Sequence, residues 1–340
     1  MPVPEVSVLF PVRDGARHLD GAVRSVLASR DVELELVCVD DGSTDHTPAL
    51  LDRWRRRDPR VRVVRTPARG IVAALEKGLQ STRAPIVARM DADDEMAPGR
   101  LSLQLGLLRK RPDVVLVGCR VESFRAGGIA EGYRLYTEWV NRLCSPEEIE
   151  REAFVECPIP HPTWMFRRDA VLAAGGYRDR DWPEDLDLLY RLLEKGHRVD
   201  KVPGVLHRWR DHPARLSRRD PRYGREAFLR LKAHYVGRVH PMRAAVVWGA
   251  GRTGRFLARA LLQEGIEIRA FIDIRPGRAG TRWHGIEVLP PEAVPERAAG
   301  WRSEGIRILS GVASRGAREE IRAALVSAAL DEGRDFLMLA

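Results

Sequence analysis

Apolar residues in the first ninety positions come in short runs separated by stretches with helical spacing. Val6-Ser-Val-Leu-Phe10 reads as a strand, and Leu19, Val23, Val26 and Leu27 then recur on one face of a helix. A second strand is predicted over 34–39, stopping at Asp40-Asp-Gly-Ser-Thr-Asp45, and a helix over 47–57 is closed by Pro59. A strand over 61–64 and a helix over 71–79 follow. The run 86–90 predicts a fourth strand, which stops at Asp91-Ala-Asp-Asp94. Such alternation implies parallel strands with helices on both faces, an α/β fold. Ligands of these folds gather at the carboxyl ends of the strands, where both acidic clusters stand.

Farther along, 114–118 reads as a strand. A less regular stretch over 121–157 holds predicted helices at 136–143 and 146–154. A clear amphipathic helix is expected over 186–195. A dense basic tract then leads into a helix around 225–236. From Ala244 a fresh pattern begins, with a strand over 244–248, glycines, a helix over 252–264 and a strand over 267–273. The expected boundary lies near residue 242, dividing 1–240 from a small α/β unit over 243–340. No internal repeat or low-complexity tract interrupts the chain.

A length of 340 residues fits two domains. With 44% hydrophobic and 31% charged residues the chain is not mostly disordered. No window approaches 18 uninterrupted apolar residues, which excludes an apolar membrane-spanning helix. The start, Met1-Pro-Val-Pro-Glu5, lacks the basic and apolar regions of a secretory signal, so a cytoplasmic location is expected. Cys38, Cys119, Cys144 and Cys157 show no ligand spacing and are expected as free thiols. The net charge is +9, and 52 of the 57 basic residues are arginine. Arginine suits phosphate, so this balance fits nucleic acid, an anionic membrane face or a nucleotide-bearing substrate. No nucleic-acid motif is present and the arginines are spread along the chain, so no nucleic-acid partner is expected. The tract from Arg208 to Arg225 leaves peripheral membrane contact open beside an ordinary solvated basic face.

Three acidic sites offer chemistry. Carboxylates two apart at a strand end, as in Asp91-Ala-Asp93-Asp94, present hard oxygens to a divalent cation; the bland alternative is a solvated turn. Asp40-Asp41-Gly-Ser either satisfies its own turn or accepts hydrogen bonds from a nucleotide. Asp185, in Pro183-Glu-Asp185, either caps the following helix or serves as a general base.

In this order, with His161-Pro-Thr-Trp-Met-Phe-Arg-Arg168 and Gly175-Gly-Tyr177 between them, these sites resemble a family 2 glycosyltransferase of the GT-A (nucleotide-diphospho-sugar transferase) fold over the first ~240 residues. The segments that carry the resemblance are Val6-Ser-Val-Leu-Phe-Pro-Val-Arg-Asp14, Val39-Asp-Asp-Gly-Ser-Thr-Asp45, Ala88-Arg-Met-Asp-Ala-Asp-Asp94, Pro98-Gly-Arg-Leu-Ser-Leu-Gln104 and Trp182-Pro-Glu-Asp-Leu-Asp-Leu188. Trp209-Arg-Asp-His212 with Ser217 is similar to the Tyr-Arg-x-His element closing the catalytic domain in that family.

The resemblance implies that Pro11 and Asp41 line the donor's base pocket, with Val12, Arg13, Arg69 and Ala92 beside them, and that Asp91 approaches the ribose or a metal-bound water. It implies that Asp93 binds Mn²⁺ or Mg²⁺ at the donor diphosphate. Asp185, with Glu184 next to it, would be the catalytic base of an inverting transfer from a nucleotide-diphosphate sugar, a UDP-sugar by preference. Arg210 and His212 would neutralise the leaving diphosphate. His212 is equally open as a metal ligand or a surface histidine, and His161 as an acceptor contact or a structural histidine. The implied acceptor is a sugar, glycolipid or polysaccharide, reached at the inner face of a membrane if it is lipid-linked. The chain departs from the family at Arg13 and Asp14, where an aromatic residue and Asn are usual, and at Glu76, where Asn is frequent. These positions bear on donor identity rather than on reaction type.

In the second unit, Gly249-Ala-Gly251-Arg-Thr-Gly254 follows a strand and opens a helix, and Asp273 ends the next strand. That is the setting of a dinucleotide-binding fingerprint, or of glycines that serve close strand–helix packing. Gly285-Ile-Glu-Val-Leu-Pro-Pro291 resembles the nucleotide-sugar-binding N-terminal domains of some sugar acetyltransferases. A Rossmann-like nucleotide site and a packing or homo-oligomerisation module both remain open. Two rival functions are an NAD(P)-linked oxidoreductase centred on 244–340 and a sugar nucleotidyltransferase.

Overall fold

The computed structural model describes residues 3–125 and 127–340; Met1 and Pro2, on which the reading of the chain's start partly rests, lie outside the described residues. One compact unit comprises residues 1–149, 158–180 and 184–219, and another comprises 150–157, 181–183 and 220–340.

The first unit opens with β1 (Val6–Val12), α1 (Ala16–Leu27), β2 (Leu34–Asp41), α2 (Thr47–Arg57), β3 (Val61–Thr66), α3 (Ile71–Ser81) and β4 (Ile86–Arg89). Strands β3-β2-β1-β4 pair in parallel in that spatial order. β1 and β2 are buried along their whole length, which is why they read as apolar runs rather than alternating ones. β5 (Glu95–Met96), α4 (Arg100–Lys110), β6 (Val114–Phe124), α5 (Glu131–Arg142) and α6 (Pro146–Glu152) follow. Next come β7 (Met165–Arg167), α7 (Arg168–Ala173), α8 (Glu184–Glu194), β8 (Arg198–Arg210) and α9 (Leu216–Arg219).

The sheet is mixed, where the alternating pattern suggested parallel strands throughout. β7 inserts antiparallel between β4 and β6, β6 and β8 run parallel, and β5 pairs antiparallel with β8 at the edge. β8 carries Arg198, Asp200, Lys201, His207, Arg208 and Arg210 along its length, so no apolar run announces it.

The second unit contains α10 (Arg225–Val239), β9 (Ala244–Trp248), α11 (Arg252–Gln263), β10 (Glu267–Ile272), β11 (Arg282–Trp283) and β12 (Ile286–Leu289). It ends with α12 (Val294–Ser303), β13 (Arg307–Ser310), α13 (Ala317–Ser327) and β14 (Phe336–Met338). Its sheet runs β11-β12-β10-β9-β13-β14, parallel except for β11. The five parallel strands stand in the order 3-2-1-4-5, that of a doubly wound sheet with its switch point between β9 and β13. Helix α10 belongs with this unit rather than closing the first: its buried Lys232 donates to Val155 O and Leu339 O, both at 2.8 Å.

Candidate active site

Because β2, β1 and β4 are parallel neighbours, their carboxyl ends lie along one edge. That edge carries Asp41 at the end of β2, Pro11 and Val12 at the end of β1, and Asp91 just past β4. The turn after β4 leads at once into β5, whose pairing with β8 sets Glu95 opposite Arg208 and Met96 opposite His207. This pairing brings the acidic turn to the far end of β8, although more than a hundred residues separate the two in sequence.

Among the described residues, Asp91, Asp93 and Asp94 form a group able to hold a metal ion, their candidate ligand atoms all within 4.8 Å of one another. Their surroundings differ. Asp94 is fully buried, and both its oxygens are used: Oδ2 accepts from His207 Nε2 at 2.8 Å and Oδ1 from Arg210 N at 2.7 Å. Arg100 Nη1 meets His207 Nδ1 at 3.0 Å. A guanidinium only donates, so Nδ1 accepts and the ring proton sits on Nε2, facing Asp94. Burial, with the charges of Arg100 and Arg89, keeps His207 well below the usual histidine range and so neutral. Burial, then the neighbouring Asp93 and Asp91, pushes Asp94 well above the usual carboxylate range.

Asp91 and Asp93 are half-buried and more open. Asp91 Oδ1 lies 2.6 Å from Arg89 Nη1, and Asp93 Oδ2 lies 2.8 Å from His212 Nε2. Against the effect of burial, the His212 hydrogen bond and the Arg215 charge hold Asp93 below its ordinary value. The three carboxylates crowd one another, and a hard divalent cation would offset that repulsion. The donor set therefore fits Mn²⁺ or Mg²⁺, with His212 able to add a nitrogen ligand. Arg210 holds the turn itself: its Nε donates to Asp93 O at 2.7 Å and its Nη2 lies 3.5 Å from Glu95 Oε1.

Arg89 joins this turn to a second cluster. Its backbone N donates to Trp164 O at 2.7 Å, setting the turn 161–164 beside β4. His161 Nε2 meets Tyr177 Oη at 2.9 Å, and His161 Nδ1 lies 3.8 Å from Glu184 Oε1 at the start of α8. Burial, reinforced by the Arg89 charge, drives His161 well below the usual histidine range. Asp185 is the next residue of α8, and its Oδ1 accepts from Leu186 N at 2.8 Å. Glu76, one of the departures noted in the sequence, accepts from Tyr177 N at 2.8 Å and so fixes the turn at Gly175-Gly-Tyr177.

Asp41 spends its carboxylate on the loop after β3: Oδ1 accepts from Arg69 N at 2.9 Å and Oδ2 from Gly70 N at 2.8 Å. Gly70 opens α3 at φ +91°, a region that L side chains rarely adopt. Arg13 reaches to 4.0 Å from Asp41 with half its side chain exposed. Asp14, at φ +50°, accepts from Thr44 N at 2.7 Å and Asp45 N at 3.3 Å, clamping the β1–α1 and β2–α2 loops together. Ala92 lies inside the acidic turn.

Sequence reading missed Arg89, Arg100, His207, Tyr177 and Arg215. The available signal was a charged residue inside an otherwise apolar strand, as at Arg89.

In the second unit each fingerprint glycine has a local reason. Gly249 adopts φ +108°, and a Cβ at Gly254 would lie 1.7 Å from Gly249 O. A Cβ at Gly251 would lie 3.1 Å from Arg278 Nη1. Asp273 accepts from Ala250 N at 2.8 Å, Arg278 Nη1 at 3.0 Å and Arg275 N at 3.0 Å.

Residues 7–174 match the family described as Glycosyl transferase family 2. The amylovoran biosynthesis glycosyltransferase AmsE of Erwinia amylovora is 34% identical over 174 residues, which are 51% of this chain and 62% of that protein. The chain thus spans less than two thirds of AmsE. The UDP-Gal:alpha-D-GlcNAc-diphosphoundecaprenol beta-1,3-galactosyltransferase of Escherichia coli is 26% identical over 206 residues, 60% of this chain and 73% of that one. Residues 1–349 of S. aureus TarS, solved in complex with UDP-GlcNAc, share the fold at a TM-score of 0.52 and 14% identity, covering 76% of this chain and 71% of that chain. The chain therefore carries a domain of glycosyl transferase family 2, built on the GT-A fold.

Proposed function

We propose that the chain is an inverting glycosyltransferase that moves a sugar from a nucleotide-diphosphate sugar to an acceptor hydroxyl in polysaccharide or glycoconjugate synthesis. The observation that carries this reading is the crowded carboxylate turn Asp91–Asp94, set at the aligned strand ends of a family-matched sheet and flanked by His212, Arg210 and Arg215.

Pro11, Val12, Arg13, Asp41, Arg69, Asp91 and Ala92 bind the nucleoside. Asp93 and Asp91, with His212, would hold Mn²⁺ or Mg²⁺, which when bound supplies positive charge to the diphosphate. Asp185 accepts the proton of the acceptor hydroxyl. The acceptor oxygen bonds to the anomeric carbon from the opposite face as the bond to the diphosphate oxygen breaks, and the electron pair departs with the nucleoside diphosphate. The first turn of α8 favours an anionic Asp185 through the helix dipole. His161, buried between Tyr177 and Glu184, positions the start of that helix.

UDP is the favoured nucleotide, since the E. coli relative is a UDP-Gal transferase and TarS was solved with UDP-GlcNAc. The E. coli relative acts on a diphosphoundecaprenol-linked sugar; a lipid-linked acceptor of that kind would bring this chain to the cytoplasmic face of a membrane. Among the described residues no helix is long and apolar enough to cross one. The second unit serves packing or self-association, a reading supported by the close strand–helix approach at Gly254 and by Asp273 already accepting from Ala250 N, Arg275 N and Arg278.

Calorimetric titration of UDP, GDP and dTDP, each with and without Mn²⁺, tests the reading. Mn²⁺-dependent binding of one of them, most tightly UDP, is expected. Absence of binding by all three overturns it.

A further inference from the structure

We propose that Arg215, rather than Arg210, is the guanidinium that takes the donor's diphosphate. The proposal rests on the transferase reading above and deepens it.

Arg210 and Arg218 each already engage two of their three guanidinium nitrogens. Arg210 uses its Nε on Asp93 O, as described, and Arg218 pairs with Asp211 at 2.6 Å while donating to His212 O at 3.1 Å. Arg215 is held differently. The turn His212–Arg215 closes through Arg215 N donating to His212 O at 3.3 Å, which folds the side chain back over the end of β8. Its guanidinium carbon lies 4.5 Å from the Trp209 ring centre and 5.2 Å from that of Tyr133, so two aromatic faces fix its plane. Nη1 alone is engaged, donating to Tyr133 Oη and to Arg210 O at 3.2 Å. Nε and Nη2 make no hydrogen bond or salt bridge among the described residues.

This cation also lies in the field of the acidic turn. Asp91, Asp93 and Asp94 all act on its charge, yet none of them is in salt-bridge contact with it. A half-buried guanidinium, oriented by stacking, beside three carboxylates and bonded to none, is arranged for an anion that arrives with a cation on those carboxylates. A diphosphate meets that description, and the planar fork of Arg matches two of its oxygens. An acceptor phosphate shares the chemistry, so the test separates the two sources.

The experiment is calorimetry on the whole chain with Mn²⁺, no acceptor present, using whichever of UDP, GDP and dTDP the wild type binds. Arg215→Met is expected to weaken that binding about 10- to 100-fold, the range for a charge-assisted contact to a charged group. Mn²⁺ affinity should hold or rise, since a cation beside Asp93 is removed, affinity for the bare nucleoside should stay unchanged, and Arg215→Lys should keep the wild-type melting temperature. Arg215→Lys should recover part of the loss, keeping the charge without the fork. Wild-type diphosphate affinity in Arg215→Met overturns the proposal; if the acceptor KM rises instead, the acceptor is the phosphate source. Equal losses for nucleoside, Mn²⁺ and diphosphate, or a lowered melting temperature in both variants, assign Arg215 to structure and overturn it too. A wild type that binds none of the three diphosphates removes the transferase reading and this inference with it.

Discussion

Each sheet has a buried aspartate in a turn that follows a parallel strand, Asp94 at the end of the turn between β4 and β5 and Asp273 just past β10, and the two carboxylates are balanced in opposite ways. Asp273 receives three donors, among them the Arg278 cation, and against the pull of burial these keep it below the usual carboxylate range. Asp94 also accepts two hydrogen bonds, from a neutral His207 and a backbone amide, yet burial first, and then the two neighbouring carboxylates, push it upward. The glycine-rich turn meets its aspartate with a cation, whereas the acidic turn crowds three carboxylates whose candidate ligand atoms lie within 4.8 Å of one another.

Asp93→Ala sharpens the contrast most. It should abolish Mn²⁺-dependent binding of the nucleoside diphosphate in calorimetry and leave the fold intact; retained binding would make the acidic turn as inert as the glycine turn. Asp185→Asn should preserve donor binding and cut turnover by roughly 10²- to 10⁴-fold, the usual range for a lost general base. Undiminished turnover would remove Asp185 from the chemistry.

In the second unit the expected effects fall on stability. Gly254→Ala puts a methyl 1.7 Å from a carbonyl oxygen, and the required backbone shift should cost about 1–3 kcal/mol in urea unfolding. Asp273→Asn should leave the transfer rate unchanged and cost on the order of 1–3 kcal/mol near neutral pH. Because the folded-state pKa of Asp273 is lowered, its contribution is complete above the ordinary value of 3.8 and fades as pH falls through the depressed one. The wild-type advantage over Asp273→Asn should therefore shrink below about pH 4 in urea titrations at stepped pH. A constant gap would mean that the Asp273 charge carries none of that stability.

The apolar runs made β1, β2 and α2 legible because elements buried on a whole face or on both faces repeat at their own period. The acidic strand ends were equally plain. Illegible were β8, whose charges mask its strand character, and β5, only two residues long. Glu76 and Asp14 looked like features of the donor pocket, and the structure shows them pinning Tyr177 and the 44–45 loop. Arg210 read as an acceptor or phosphate contact, and the structure adds that its Nε donates to Asp93 O, a contact no sequence pattern announced.

By itself, then, the sequence determined which segments form strands and helices and where carboxylates interrupt them, since both follow from local periodicity and chain order. Only the tertiary structure decided which carboxylate meets a cation and which is crowded by other carboxylates. Compensation comes from groups such as His207, Arg210 and Arg215, which lie more than a hundred residues from the acidic turn. They reach it because β5 pairs antiparallel with β8 and sums their fields at one point in space.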